Sequence, residues 1–226
     1  MRLGVLFSGG KDSCLALQKA MKKNEVMCLI TVVSENPESF MFHTPNIHLT
    51  ELQAFVIGLP LLSVKTKGEK EKELEELEEA VRGAKEIYEI EGVVTGAIES
   101  FYQKTRVERI CKELGLECVN PLWQRNQIEI LKELVELGYD VMITGVFAEP
   151  FGKDWLGRKI DKKTVEELKE LEKKYKINPS GEGGELETTV LDAPFFNKKI
   201  SVENFSIKFS GCSGTMNIEK TKLVEK

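Results

Sequence analysis

This chain is poor in groups for metal or redox chemistry. Its five cysteines, Cys14, Cys28, Cys111, Cys118 and Cys212, are odd in number and scattered, with no C-x-x-C among them. That excludes a zinc ribbon or a dithiol redox motif and leaves reduced, mostly buried thiols as the expectation. The two histidines, His43 and His48, lie five residues apart in a polar stretch, which is poor spacing for a shared metal. No apolar run is long enough to span a bilayer. Met1-Arg2-Leu3 leads directly into the first apolar run, so no signal or transit segment is expected. The expected location is the cytoplasm, with no membrane partner. The net charge of −5 provides no basic footprint for nucleic acid. There are no internal repeats, and the one compositional bias, the Glu/Lys stretch from Lys65 to Glu91, has helical periodicity.

What is present is a globular composition: 226 residues, 41% hydrophobic and 31% charged. That is enough chain to bury a real core. The dominance of Glu and Lys among the charges points weakly to heat tolerance. Apolar runs alternate with amphipathic ones. Strands are expected at Leu3–Phe7, Val26–Val33, Leu61–Lys65, Val93–Ala97, Glu117–Val119 and Asp140–Phe147. Helices are expected at Asp12–Lys23, at Thr50–Gly58 with Thr50 as N-cap, at Glu69–Glu91, at Lys104–Leu114 and at Ile128–Leu137. In the long helix, Leu74, Leu77, Val81, Ala84, Ile87 and Tyr88 form the inward stripe. This order implies an α/β fold, an open parallel Rossmann-like sheet with helices on both faces. After Glu149-Pro150 the pattern changes to a charged helix, Lys162–Lys174, a Gly-rich loop at Asn178–Gly184, and strands at Leu186–Leu191 and Ile200–Phe209. The expected division is an α/β domain at 1–148 and a smaller C-terminal α+β, substrate-binding domain at 149–226.

The most specific segment is Ser8-Gly9-Gly10-Lys11-Asp12-Ser13, set between the first strand and the first helix. A strand, a glycine turn and a helix start present backbone N–H groups to a phosphate. Two glycines permit close approach, Ser8 and Ser13 add hydroxyls, and Lys11 adds a positive charge. It is not a Walker A loop: Gly10 stands where Lys is required, and Asp12 follows Lys11 where Ser or Thr is required. No G-x-G-x-x-G occurs. The segment resembles the PP-loop of ATP pyrophosphatases, which cleave ATP between its α- and β-phosphates and transfer AMP to an acceptor oxygen. The bland alternative is a tight turn with Asp12 or Ser13 as an N-cap.

Other segments are less decisive. Gly96, at the end of the fourth strand, would permit close approach to a ribose or α-phosphate, with Glu99, Ser100, Tyr102, Gln103 and Arg106 following as substrate-side candidates; an ordinary polar loop and helix start is the alternative. His43, Thr44 and Asn46 form a polar turn that is either structural or in contact with substrate. Glu182, Gly183, Gly184, Glu185 and Glu187 bring three carboxylates and flexible backbone together. They could hold Mg²⁺, accept an ammonium ion or act as a base, or simply form an acidic loop. Cys118 invites a nucleophile reading, but a structural thiol is favoured. Trp123 and Trp155 are read first as packing residues.

Taken together, SGGKDS at 8–13, HTPN at 43–46, GAIES at 96–100, NPLW at 120–123 and GEGGELETTVLDAPFF at 181–196 resemble the archaeal and eukaryotic diphthine–ammonia ligase family. The likeness covers nearly the whole chain. Leu186 departs from it where many relatives are expected to carry an aromatic residue, and no function of the C-terminal extensions of longer eukaryotic members is expected of these 226 residues. The resemblance implies an ATP-dependent ligase. ATP activates the carboxylate of diphthine, a modified histidine on elongation factor 2, as an acyl-adenylate; ammonium then supplies nitrogen to give diphthamide, with release of AMP and pyrophosphate. It implies that Ser8, Gly9, Gly10 and Ser13 cradle the outer phosphates and that Lys11 neutralises developing charge. Asp12 then orients the loop or helps hold Mg²⁺, Gly96 accommodates the ribose side, and Glu182, Glu185 and Glu187 serve the ammonium or substrate half. Two competing readings are another PP-loop enzyme acting on tRNA by thiolation or lysidine-type chemistry, and a non-catalytic adenine-nucleotide-binding module. Self-association and the docking of the protein substrate are left open.

Overall fold

The computed structural model describes residues 1–34, 45–67 and 72–226. They form two compact units, Met1–Ser8 with Asp12–Trp123 and Gly9–Lys11 with Gln124–Lys226. No helix among the described residues is long and apolar enough to cross a membrane.

The first unit runs β1 (Arg2–Leu6), α1 (Lys11–Met21), β2 (Glu25–Ser34), α2 (Thr50–Ile57), β3 (Leu61–Thr66), α3 (Lys72–Tyr88), β4 (Gly92–Val94), α4 (Phe101–Glu113) and β5 (Glu117–Val119). The strands form a five-stranded sheet in the order β3-β2-β1-β4-β5, and every neighbouring pair is parallel. Leu3 and Val5 of β1, and Cys28, Leu29, Ile30 and Val32 of β2, are buried. Consecutive buried side chains mean that both sheet faces are covered, as in a parallel sheet flanked by helices. Right-handed crossovers place α1 and α2 on one face and α3 and α4 on the other. Consistently, Leu77, Val81 and Ala84 of α3 share a core cluster with Val107, Ile110 and Cys111 of α4. The chain moves outward from β1 to β3, then crosses back to β4. The direction therefore reverses between β1 and β4, and ligands of such sheets bind beyond the carboxyl ends of strands at that point.

Two helices depart locally from the sequence pattern. Ile87 is exposed, whereas Tyr88 packs against the core cluster; four residues beyond Ala84 keeps to the buried stripe and three does not. Thr50 is not the N-cap of α2, because a 3₁₀ turn at Ile47–Leu49 precedes it and its Oγ1 donates to Ile47 O at 2.7 Å. Gly58 ends α2 as expected, with φ 80° and its N–H donated to Ala54 O and Phe55 O.

The second unit contains α5 (Gln127–Glu136), β6 (Asp140–Val146), α6 (Lys162–Tyr175), β7 (Leu186–Asp192), β8 (Lys199–Ser210) and β9 (Ser213–Val224). Its four-stranded sheet has the order β7-β6-β9-β8 and is antiparallel throughout. β6 is thus not a further strand of the parallel sheet, as the sequence suggests. It pairs with β7 and β9, and the compact units divide between Trp123 and Gln124 rather than at 148/149. Trp155 is buried, with Phe151 edge-on at 5.0 Å and the Arg158 guanidinium 4.1 Å from its ring centre; it is a packing residue.

Asp140 opens β6 and accepts from Lys159 Nζ at 2.9 Å and Lys199 Nζ at 2.6 Å. Burial pushes its carboxyl up, but the two ammonium groups outweigh burial and hold it below the usual carboxylate value. A carboxyl depressed in the folded state contributes stability above its unfolded pKa, and that contribution fades as pH falls through the folded value. Asp140→Asn is expected to cost about 1–3 kcal/mol near neutral pH. Urea midpoints at about pH 7 and about pH 3 should show the gap from the unsubstituted protein shrinking at the lower pH.

Candidate active site

In the first unit, β1 delivers the chain to the glycine loop under firm restraint. Phe7 N donates to Ile30 O at 2.8 Å, and Phe7 O accepts from Thr31 Oγ1 at 2.6 Å. Beyond it, Ser8 N and Ser8 Oγ each lie 3.3 Å from Ser13 Oγ. The two serines singled out in the motif are therefore tied to each other. The loop that follows β4 approaches the same backbone. A Cβ on Gly96 would lie 2.9 Å from both Asp12 C and Ser13 N, so this glycine is required by the contact itself. The neighbours of Gly96 are thus the backbone atoms of Asp12 and Ser13, in the same glycine-loop segment.

The residues after Gly96 are largely occupied in starting α4. Ser100 is the N-cap, accepting from Gln103 N at 3.3 Å. Arg106 lies over the Tyr102 ring at 3.4 Å and donates to Tyr102 O. Glu99 is exposed. Asn46 is buried, with φ 64° and its carbonyl accepting from Leu49 N, so it shapes the turn into the 3₁₀ helix. His43 and Thr44 lie outside the described residues. Thr95 Oγ1 donates to Asn120 Oδ1 at 2.5 Å, and Asn120 Nδ2 donates to Cys118 Sγ at 3.5 Å. The Cys111 thiol holds Cys118 below the ordinary thiol range, and Cys118 packs against the core. Trp123 meets Phe101 edge-on at 5.0 Å, with Lys104 Nζ 4.9 Å from its ring centre.

In the second unit, Gly9–Lys11 are joined to β7. Gly9, at φ 75°, offers its carbonyl to Val190 N at 3.0 Å. Lys11 N donates to Thr188 Oγ1 at 3.2 Å, and the buried Lys11 Nζ donates to the Ser180 carbonyl. Before β7 the chain makes two successive turns, closed by Gly181 N to Asn178 O at 2.8 Å and Gly184 N to Gly181 O at 2.9 Å. They end on Glu185. Its Oε1 accepts from Asn178 N at 3.0 Å and Asn178 Nδ2 at 2.8 Å. Its Oε2 is buried without a hydrogen-bond partner among the described residues. A Cβ on Gly183 would lie 2.6 Å from Asn178 Nδ2 and 2.7 Å from that oxygen, so a larger residue there would have to displace these two side-chain ends. Glu187 stands opposite Gly145 in the β6–β7 ladder, and Glu182 is half-buried.

One hydrogen-bonded set thus contains Lys11 and Glu185. The residues that join them, Gln127, Asn178 and Ser180, were not singled out from the sequence. A signal existed: Gln127, Ile130, Leu131 and Leu134 are all buried on one stripe of α5, and a polar residue on an apolar stripe needs partners. Among the described residues no three His, Cys, Asp or Glu side chains stand together as a metal cage.

The chain matches the family model described as diphthamide synthase N-terminal domain over residues 1–118 and that of the diphthamide synthase C-terminal domain over residues 126–224. It is 37% identical to the human diphthine–ammonia ligase, over 92% of this chain and 85% of that protein. It is 36% identical to that of Schizosaccharomyces pombe, over 88% of this chain and 36% of that longer protein. Among solved structures, a predicted subunit of a tRNA methyltransferase from Methanocaldococcus jannaschii aligns with a TM-score of 0.45 and 17% identity, over 86% of this chain and 98% of that one. Two family models covering most of both units, with the human relative matched at 37% identity over 85% of its length, place this chain in the diphthamide synthase family.

Proposed function

We propose that this chain is an ATP-dependent, C–N bond-forming ligase that converts diphthine on elongation factor 2 to diphthamide in the cytoplasm. A diphthine carboxylate oxygen attacks the α-phosphorus, the bond to the β-phosphate bridging oxygen breaks, and pyrophosphate leaves. Ammonia then attacks the acyl carbon, the bond to AMP breaks, and the amide forms. The ammonium ion must lose a proton before it attacks, and a carboxylate is the natural acceptor.

The first step needs alignment and neutralisation of the leaving charge more than covalent help. Ser8, Gly9, Gly10 and Ser13 bind the outer phosphates, and Lys11 places its ammonium where negative charge develops. Asp12 is the protein carboxylate suited to a Mg²⁺ ion that arrives with ATP and neutralises phosphate charge. Glu185 is the ammonium-side residue, with Glu182 and Glu187 flanking it in sequence. The observation that carries this reading is the bonding of Gly9–Lys11 to β7 and to Ser180. The phosphate-side lysine and the Gly/Glu segment thereby belong to one hydrogen-bonded assembly. An unpartnered buried carboxylate oxygen on Glu185 is an acceptor waiting for a cation.

The test supplies the protein with ATP, Mg²⁺, ammonium and diphthine-bearing elongation factor 2. Mass spectrometry is expected to show the acid becoming an amide, with AMP accumulating in equal amount. ADP in place of AMP, or an unchanged acid, rejects the reading.

A further inference from the structure

We infer that Gln127 and Asn178 are positioning residues for the ligase reaction, and that Gln127 sets Lys11 through Ser180 and Glu185 through Asn178. The inference rests on the reading of Glu185 as the ammonium-side carboxylate.

Gln127 is the first residue of α5, a position where a solvated side chain would suffice, yet it is only 8% exposed. Its amide is occupied on both ends. Oε1 accepts from Ser180 N at 3.1 Å and Ser180 Oγ at 2.7 Å. Nε2 donates to Asn178 Oδ1 at 3.2 Å. The orientation of each amide is dictated by its neighbours. The Ser180 N–H can only donate, so the Gln127 atom facing it must be the oxygen. That turns Nε2 towards Asn178, which must present its own oxygen. Asn178 Nδ2 is then left to face the Glu185 carboxylate, which only accepts when ionised. The chain of donors has one sense, from Ser180 through Gln127 and Asn178 to Glu185, so each bond polarises the next. At the other end, Ser180 offers its carbonyl to the Lys11 ammonium. Ser180 and Lys11 are 1% and 3% exposed, so water offers little substitute for a lost partner.

The two arms can be cut separately. Asn178→Leu removes the side-chain donor to Glu185 and leaves Ser180 on Gln127. Gln127→Glu keeps the acceptor for Ser180 but turns a second oxygen on Asn178. Asn178 must then tolerate that oxygen or reverse its amide, which sets its oxygen against Glu185. Gln127→Leu cuts both arms.

The adenylation half is read as ATP–pyrophosphate exchange with diphthine-bearing elongation factor 2 and no ammonium. The amination half is read as the KM for ammonium in amide formation. Asn178→Leu and Gln127→Glu are expected to raise the ammonium KM about tenfold or more, with exchange within about twofold of the unsubstituted protein. Gln127→Leu should also lower exchange by about tenfold. Glu185→Gln separates the two claims. If it leaves the ammonium KM unchanged, the reading of Glu185 falls and this inference with it. If Glu185→Gln raises that KM while folded Asn178→Leu and Gln127→Glu do not, the inference alone is overturned. A proportional fall of both half-reactions with thermal stability, with no change in KM, would mark Gln127 and Asn178 as scaffold only and also overturn it.

Discussion

Lys11→Ala is expected to slow single-turnover pyrophosphate release by about 10²–10³-fold, the scale seen when one preorganised charge-stabilising group is removed from a reaction centre. The effect is electrostatic. Breaking the α–β linkage moves negative charge onto pyrophosphate, and a buried ammonium acts there at lower effective dielectric than in water. Lys11 is 3% exposed and its ammonium is held by the Ser180 carbonyl, so its position is set before substrate arrives. Truncation also strands that carbonyl, at an expected cost of about 1–3 kcal/mol in stability. The two effects separate in Lys11→Arg, which keeps the charge but replaces a compact point donor by a planar fork. It should recover most of the thermal stability and only part of the rate. Pyrophosphate release by Lys11→Ala within about threefold of the unsubstituted protein would remove Lys11 from the chemistry.

The parallel sheet was legible because its strands are short apolar runs bounded by amphipathic helices, and β5 was read at its observed limits of Glu117–Val119. The sheet membership of β6 was not legible. Asp140–Val146 is as apolar as a parallel strand, and nothing local to a run says whether its partner is parallel or, like Leu186–Asp192, antiparallel and some forty residues onward. β9 was missed although Gly214, Met216 and Ile218 are buried in alternation, because glycine at the first of these positions weakens the period-2 signal. The hairpin that precedes it turns through Gly211-Cys212, which lacks the Asn-Gly or Asp-Gly signature.

The site divides in the same way. The glycine loop was legible because its residue types follow from phosphate chemistry at a strand-to-helix turn. Glu185 was legible only as one of three nearby carboxylates. What distinguishes it is a pair of donors from Asn178, seven residues upstream, and burial of one oxygen. Those are consequences of two turns whose closure a linear pattern does not specify. Ser100 and Gln103 illustrate the reverse case. Both were read as substrate-side candidates, and their visible bond is a helix cap, the job most often given to a serine just before an amphipathic run.

Gly96→Ala is expected to lower pyrophosphate release by about 10–10²-fold, the penalty typical of a sub-ångström to one-ångström misplacement at a reacting centre. The added Cβ would meet Asp12 C and Ser13 N at 2.9 Å. Both are backbone atoms, so no side chain can swing aside, and the start of α1 must move away from the loop after β4. Since Ser13 also accepts both bonds from Ser8, the displacement passes into the phosphate-binding backbone. Gly115→Ala supplies the control. Gly115 has φ +64° and nothing within 4 Å of its added Cβ, so alanine there strains only its own backbone, by about 1 kcal/mol or somewhat more. If general destabilisation explained the Gly96 effect, the two variants would lose activity in step with their melting temperatures. The contact predicts instead that Gly96→Ala weakens ATP binding, measured by titration calorimetry, whereas Gly115→Ala lowers the melting temperature and binds ATP normally. Equal ATP affinity in both variants would show that the β4 loop does not shape the nucleotide site.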